Sequence, residues 1–225
     1  MTTKEEKMQQ FLNLLLKTPL FDSMNPQQLT AALDMLCAQK TQHQKGNIIV
    51  QTGQPIKKIG IVLSGCLQIL QQDYQGNVTL VAQLEPGELF AEAFACGGAI
   101  STVTVMAAQL AAVCWLDIDR VLSAGIEKEP VGAILMRNLV RLLAKKNVFL
   151  TGRISHMSKR TLREKVLSYL SEQAVRAGKN NFQIPLNRQQ MADFLAVDRS
   201  ALSAVLCKLR DEGVIRFHKN EFTLL

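Results

Sequence analysis

From Gly46 to about Asp117 the apolar residues fall in short alternating runs, while on both sides they recur every three or four positions. A period of two belongs to a half-buried strand, and a period near 3.6 to an amphipathic helix. The runs are Asn47–Gln51, Ile59–Leu63, Cys66–Gln71, Val78–Leu84, Ser101–Ala107 and Ala111–Leu116. Turn formers separate several of them: Thr52-Gly53-Gln54-Pro55, Ser64-Gly65, Asp73-Tyr74-Gln75-Gly76-Asn77 and Glu85-Pro86-Gly87. Strands of this length and rhythm predict an all-β sandwich or small barrel, and the segment is long enough for a compact β-roll. A chain of 225 residues, 48% apolar and 20% charged, has room for that roll and a second compact part. The expected fold class is α+β, with strands and helices segregated along the chain.

Other classes fall away early. The most apolar window, Ala107–Trp115, is far short of the ~20 residues of a spanning helix. The N-terminus (MTTKEEKMQQ) is polar and lacks the apolar core of a secretory signal, so secretion is not expected, and with no spanning segment no membrane partner is expected either. Cys37, Cys66, Cys96, Cys114 and Cys207 are odd in number, widely spaced and never C-x-x-C. That pattern fits neither a disulfide framework nor a zinc or iron–sulfur site. A reducing cytoplasm is the expected compartment, with no metal and no cofactor.

Charge is unevenly placed. Residues 1–152 carry 13 basic and 12 acidic groups, and residues 153–225 carry 13 and 7. A compact basic C-terminal part points to a polyanion, most often nucleic acid, with a merely soluble basic domain as the alternative.

The helical segments supply the rest. Residues 5–17 read as a short amphipathic helix broken at Pro19, and Asn25-Pro26 opens a second as N-cap and first helical residue. A long helix is expected from Pro130 to about Ile154 or beyond. One stripe on it is Val131, Leu135, Leu139, Leu142, Lys146 and Phe149, and a second is Met136, Val140, Leu143, Asn147, Leu150 and Ile154. A helix apolar on two sides buries both. The spacing of the first stripe resembles a coiled-coil seam, which makes this a dimerisation helix; a core helix is the alternative. Gly152–Arg160 reads as a polar, basic hinge. Thr161 and Glu164 form a capping box for a further helix, with Val166, Leu167, Leu170 and Val175 inward and Gly178 just past its end.

Residues 186–213 (LNRQQMADFLAVDRSALSAVLCKLRDEG) hold two short helices joined by a tight turn. Asn187 caps the first and Asp198 the second. Met191, Ala192, Phe194 and Leu195 face Leu202, Val205, Leu206 and Leu209. This is a helix-turn-helix, whose second helix enters the major groove of DNA. Arg199 suits a bidentate contact to guanine O6 and N7. Arg188 and Gln189 suit phosphate contacts, and Asp198, Ser200, Ser203 and Lys208 complete the expected DNA-binding set. After Gly213, Ile215 and Phe217 match Phe222 and Leu224 across a turn at His218–Glu221, giving a wing.

In this order of parts the chain resembles the cyclic-AMP receptor protein/FNR family of bacterial transcription regulators. The resemblance rests on Pro86-Gly87-Glu88-Leu89-Phe90-Ala91-Glu92 in the roll, and on Asn187-Arg188-Gln189-Gln190 with Val197-Asp198-Arg199-Ser200 in the basic part. It implies a jelly-roll, cyclic-nucleotide-binding-like sensor domain (1–127), a dimerisation helix and hinge (128–157) and a winged helix-turn-helix (158–225). It also implies a homodimer on a near-palindromic site in double-stranded DNA, a small-molecule effector, and RNA polymerase as a further candidate partner.

The departures are informative. Cyclic-nucleotide binders of the family carry an Arg-Ser pair after that turn, where this chain has Ser101-Thr102. An anionic nucleotide would lack its cation in a desolvated pocket, at a cost of several kcal/mol. The oxygen-sensing branch needs an N-terminal cysteine cluster, and only Cys37 lies in the first 65 residues. His43, His156 and His218 are scattered, which disfavours a heme sensor and a metal-dependent cupin enzyme. No paired carboxylates, nucleophile–base pair or phosphate loop supports another enzyme. In the recognition helix the family's second charged reader is replaced by Ala204.

The expected effector pocket comprises Gly87, Glu88, Phe90, Ala91, Glu92, Ser101, Thr102 and Thr104, with Thr151 from the long helix. Phe94, Ala95, Val103, Val105 and Met106 add to its apolar lining. Three readings stay open: a small apolar or weakly polar ligand, a roll closed by its own side chains, or thiol chemistry at Cys96. A ligand-free scaffold with a basic winged helix for protein contacts or nonspecific nucleic acid is the rival to the regulator as a whole.

Overall fold

The computed structural model describes residues 3–123 and 130–225; the expected boundary at 127/128 lies outside the described residues. Two compact units result, Met1–Leu143 and Ala144–Leu225.

In the first unit, α1 (Thr3–Leu16), a single 3₁₀ turn (Pro19–Phe21) and α2 (Pro26–Met35) precede the roll. Asn25 caps α2 as expected: its side chain accepts from the Gln28 amide while Gln28 returns the bond. Eight strands follow: β1 (Gln39–His43), β2 (Ile48–Val50), β3 (Lys58–Ser64), β4 (Leu67–Gln72), β5 (Val78–Leu84), β6 (Leu89–Phe90), β7 (Thr104–Ala107) and β8 (Ala111–Asp117). Helix α3 (Glu92–Gly97) interrupts them and α4 (Asp119–Ser123) closes them. They form two antiparallel sheets, β1-β8-β3-β6 and β2-β7-β4-β5.

Alternation along the strands sorts side chains into two cores. Val62, Phe90 and Val113 from one sheet meet Val50, Leu67 and Val105 from the other inside the roll. Ile59, Ile61, Cys114 and Leu116 point the opposite way, onto the helices, where Leu15, Leu20, Phe21 and Leu29 cover them. Leu135, Leu139 and Leu142 of α5 (Pro130–Met157) join that helical core. Asn138 beside them is buried, and its amide donates to the carbonyls of Leu20 and Asp22 at 3.1 and 2.8 Å. The stripe expected as a coiled-coil seam is therefore core in its first half. Of the second stripe, Met136 and Leu143 also pack against that core, while Val140, Leu150 and Ile154 are left in solvent, 57%, 53% and 67% exposed.

The second unit contains the end of α5, α6 (Leu162–Ala177), β9 (Asn181–Gln183), α7 (Arg188–Leu195), α8 (Arg199–Asp211), β10 (Ile215–His218) and β11 (Glu221–Leu224). The Thr161/Glu164 capping box forms, and Gly178 ends α6 in a left-handed conformation. Replacing Thr161 by alanine is expected to lower the stability of this unit by ~1 kcal/mol in denaturant melts. Val175, expected inward, is 81% exposed; the inward face runs through Val166, Tyr169, Leu170 and Ala174 instead.

Among the described residues no helix is long and apolar enough to cross a membrane, and no group of three metal-ligating side chains occurs.

Candidate DNA interface and sensor site

α7 and α8 are held at their crossing by a shared core of Met191, Ala192, Leu195, Leu202, Leu206 and Leu209, all buried. Ala196 begins the turn in a left-handed conformation (φ 52°), and Asp198 then caps α8. Its carboxylate accepts from the amides of Ser200 and Ala201 at 2.7 and 3.0 Å and from the Ser200 hydroxyl. The Ser200 hydroxyl, and then these amides, hold the Asp198 carboxyl below the usual range. Asp198 thus shapes the helix that presents its neighbour.

That neighbour, Arg199, is exposed in the first turn. No hydrogen bond or ion pair among the described residues engages its guanidinium or the Lys208 ammonium. Ser203 donates to the Arg199 carbonyl at 3.0 Å, and Gln189 donates to Asp193 at 2.9 Å. The wing pairs in the expected register, Ile215 with Leu224 and Phe217 with Phe222. It gains a third strand, β9, that period-two reading missed because its three residues are too few to show alternation. Arg216 and Lys219 of the wing are exposed cations that the sequence reading also passed over. The alternation itself places Arg216 outward, between inward Ile215 and Phe217.

Arg188 is half-buried. Its guanidinium lies over the rings of Phe217 and Phe222, 5.3 and 5.6 Å from their centroids, and donates to the Lys219 carbonyl at 3.2 Å. Burial lowers its pKa. This geometry ties the wing to the start of α7, rather than offering the free cation that was expected for a phosphate.

The segment expected as a hinge from Gly152 is helical to Met157 and docked. Arg153 donates to the carbonyls of Phe194 and Asp193 at 2.9 and 3.0 Å, satisfying the end of α7. His156 is buried; Nδ1 meets the Ser168 hydroxyl at 2.8 Å and Nε2 the Glu172 carboxylate at 2.6 Å. Glu172 in turn pairs with Arg176. Tyr169 lies edge-on to His156, and burial pushes its phenol up to about 12. A raised phenol favours the folded state until it ionises. The stability of this unit is therefore expected to fall as pH rises from ~10 through the folded value, followed by circular dichroism.

The sensor residues divide. Phe90 fills the roll interior, edge-on to Trp115 at 5.4 Å between centroids. Gly87 turns at φ 92°, with its amide donating to the Val62 carbonyl at 2.8 Å. Ala91 is left-handed at φ 65° at the start of α3, and Glu92 is buried there. Ser101 is buried and donates to the Val103 carbonyl at 2.7 Å, and Thr104 meets Thr52 hydroxyl to hydroxyl at 3.1 Å. Glu88 is exposed and accepts from the Glu85 amide at 2.7 Å, closing the turn before β6. Thr102 is exposed. Ala95 and Cys96 pack on the helical core and not in the roll. Thr151 lies in the second unit, where it donates to Asn147 at 3.1 Å. Burial first, then the carboxylates of Glu92 and Asp119, push the Cys96 thiol up, the opposite of an activated thiolate.

The cyclic nucleotide-binding domain family matches residues 40–124, and the Crp-like helix-turn-helix domain family matches residues 164–225. The chain belongs to the Crp/Fnr family. It has the architecture of a Crp/Fnr DNA-binding transcription regulator. Solved structures share this Crp/Fnr fold. CprK complexed with OCPA is 14% identical, with 87% of this chain and 90% of that chain covered and a TM-score of 0.59. A mutant of CooA from Carboxydothermus hydrogenoformans is 17% identical, with 86% and 85% covered and a TM-score of 0.53. The N-terminal domain of a transcriptional regulator from Streptomyces coelicolor A3(2) is 21% identical, with 61% and 94% covered and a TM-score of 0.52. No curated protein sequence matches the chain.

Proposed function

We propose that this protein is a homodimeric, sequence-specific transcription regulator that reads a near-palindromic site in double-stranded DNA. Residues 1–127 act as the sensor, 128–157 as the dimer helix, and 158–225 as the reader. The single observation that carries the reading is the unengaged Arg199 guanidinium on the exposed first turn of a capped recognition helix. A second copy supplies the second half-site, one helical turn away. Binding should be ~10³–10⁷ times tighter to that site than to random DNA, measured by titration at fixed salt. Equal affinity for all sequences would favour the nonspecific rival.

The effector is a small apolar or weakly polar molecule and not a cyclic nucleotide. Ser101 stands where the family's phosphate-binding arginine would be, and its hydroxyl is turned to the Val103 carbonyl. Calorimetry with cyclic AMP is expected to show no micromolar binding. Phe90 must move for a ligand to enter the roll. Trp115, the sole tryptophan, would report that movement by fluorescence.

A further inference from the structure

We propose that a cavity in the second unit is a binding site for a short-chain monocarboxylate, with the carboxylate on Arg153 and the carbon chain against an aromatic wall. No residue of the roll lines it, and it does not depend on the DNA reading above. The cavity has a volume of about 80 Å³ and opens to solvent between the end of α5, α6 and α7. That is roughly half the ~150 Å³ that admits a benzene ring, and suits a ligand of about five heavy atoms whose far end stays in the mouth. Phe194 is the centre of its wall, 5.6 Å from Phe149 and 5.3 Å from Tyr169 between ring centroids. Gly152 keeps it open. This residue lies inside α5, where glycine weakens a helix relative to alanine. Packing does not require it: an added Cβ would lie 3.5 and 3.6 Å from the Glu172 carboxylate oxygens, an ordinary contact. Its effect is to leave space at the cavity wall that a larger side chain would take.

Charge decides what fills it. Glu172 is engaged twice, by Nε2 of His156 at 2.6 Å and by Arg176. Arg153 is different. Its half-buried guanidinium lies 5.7 Å from the Phe194 ring centroid and donates from Nε and Nη2 to two backbone carbonyls. Those acceptors carry no formal charge, and the carbonyl end of α7 offsets only part of the cation. Among the described residues no carboxylate pairs with Arg153, and its Nη1 donates to no group. A half-buried cation without a counter-ion favours an anion. Gln173, half-buried at the same cavity, has no hydrogen-bond partner among the described residues and offers a further donor.

The same balance argues against other occupants. An ammonium group would meet Arg153 and Arg176 together. Phosphate would suit the guanidinium but would set charged oxygens against Phe149 and Phe194. A short carboxylate satisfies both halves, with charge-assisted hydrogen bonds from Arg153 and apolar contact with the rings. Glu172, paired with Arg176, adds no net charge to oppose it.

The test is calorimetry with propionate on the full-length protein, with amide hydrogen exchange to locate the site. Wild type is expected to bind propionate with a Kd on the order of 0.1–1 mM, within the range open to a ligand of about five heavy atoms. Propionamide has the shape without the charge, and phosphate the charge without the chain; each should bind at least about tenfold more weakly. Exchange should slow around residues 149–156 and 169–176, which line the cavity, and not in the roll. Arg153→Gln should abolish binding by removing the charge. Gly152→Leu should abolish it by filling the cavity, and because leucine strengthens a helix this variant is expected to fold, as circular dichroism will report. No propionate binding by wild type at ten times the expected Kd would overturn the site and leave a hydration cavity only. Protection confined to the roll, or binding unchanged by Gly152→Leu, would overturn its location. Propionamide binding as tightly as propionate would overturn the role of Arg153.

Discussion

Replacing Arg199 by alanine is expected to lower affinity for the specific DNA site by about 5- to 150-fold, the equivalent of the ~1–3 kcal/mol carried by a bidentate guanine contact. Random DNA should lose far less, so the ratio of specific to nonspecific binding collapses. The reason lies in how the side chain is held. Asp198 fixes the first turn of α8, and nothing within the fold competes for the guanidinium. Lys208→Ala should behave differently: binding weakens alike for all sequences, and the salt dependence becomes shallower by about one contact. Titration of both variants at several salt concentrations separates a base reader from a phosphate contact.

Alanine at Gly60 is expected to destabilise the first unit by ~1–3 kcal/mol, although it adds one methyl group. Gly60 pairs with Phe90 across β3 and β6. A Cβ at Gly60 would lie 2.2, 2.4 and 2.8 Å from three atoms of the Phe90 ring. That ring is buried and held against Trp115, so it has nowhere easy to go. Phe90→Ala alone should cost ~3–5 kcal/mol by leaving a cavity. The double variant should cost less than the sum of the two, because the added methyl occupies space the ring has vacated. Thermal melts followed on Trp115 measure all three.

Much of this architecture is legible in the chain because local signals agree with tertiary ones. Asn25, Thr161, Asn187 and Asp198 all cap helices where their spacing to the next polar residue says they should. The wing register follows from matching Ile215 and Phe217 to Leu224 and Phe222. What stays hidden has physical causes. β1 (Gln39–His43) is polar along its length and sits at a sheet edge, so no apolar alternation announces it. The two stripes of α5 have near-identical periods, and only packing decides that Leu135, Leu139 and Leu142 turn inward while Val140 and Ile154 do not. Arg188 looks like a phosphate ligand in sequence because its aromatic partners, Phe217 and Phe222, lie some thirty residues further on. The docking of His156 on Ser168 and Glu172 is invisible for the same reason, since a polar stretch with a glycine reads as hinge until its partners are brought beside it.

The most direct test of the central claim is selection from random duplex DNA with the purified, reduced protein, repeated in the presence of cell extract, followed by titration of the best site. The regulator reading predicts an inverted repeat with half-sites about one helical turn apart, bound by a dimer and lost with Arg199→Ala. Enrichment of no motif under either condition, with binding that depends on salt but not on sequence, would contradict it.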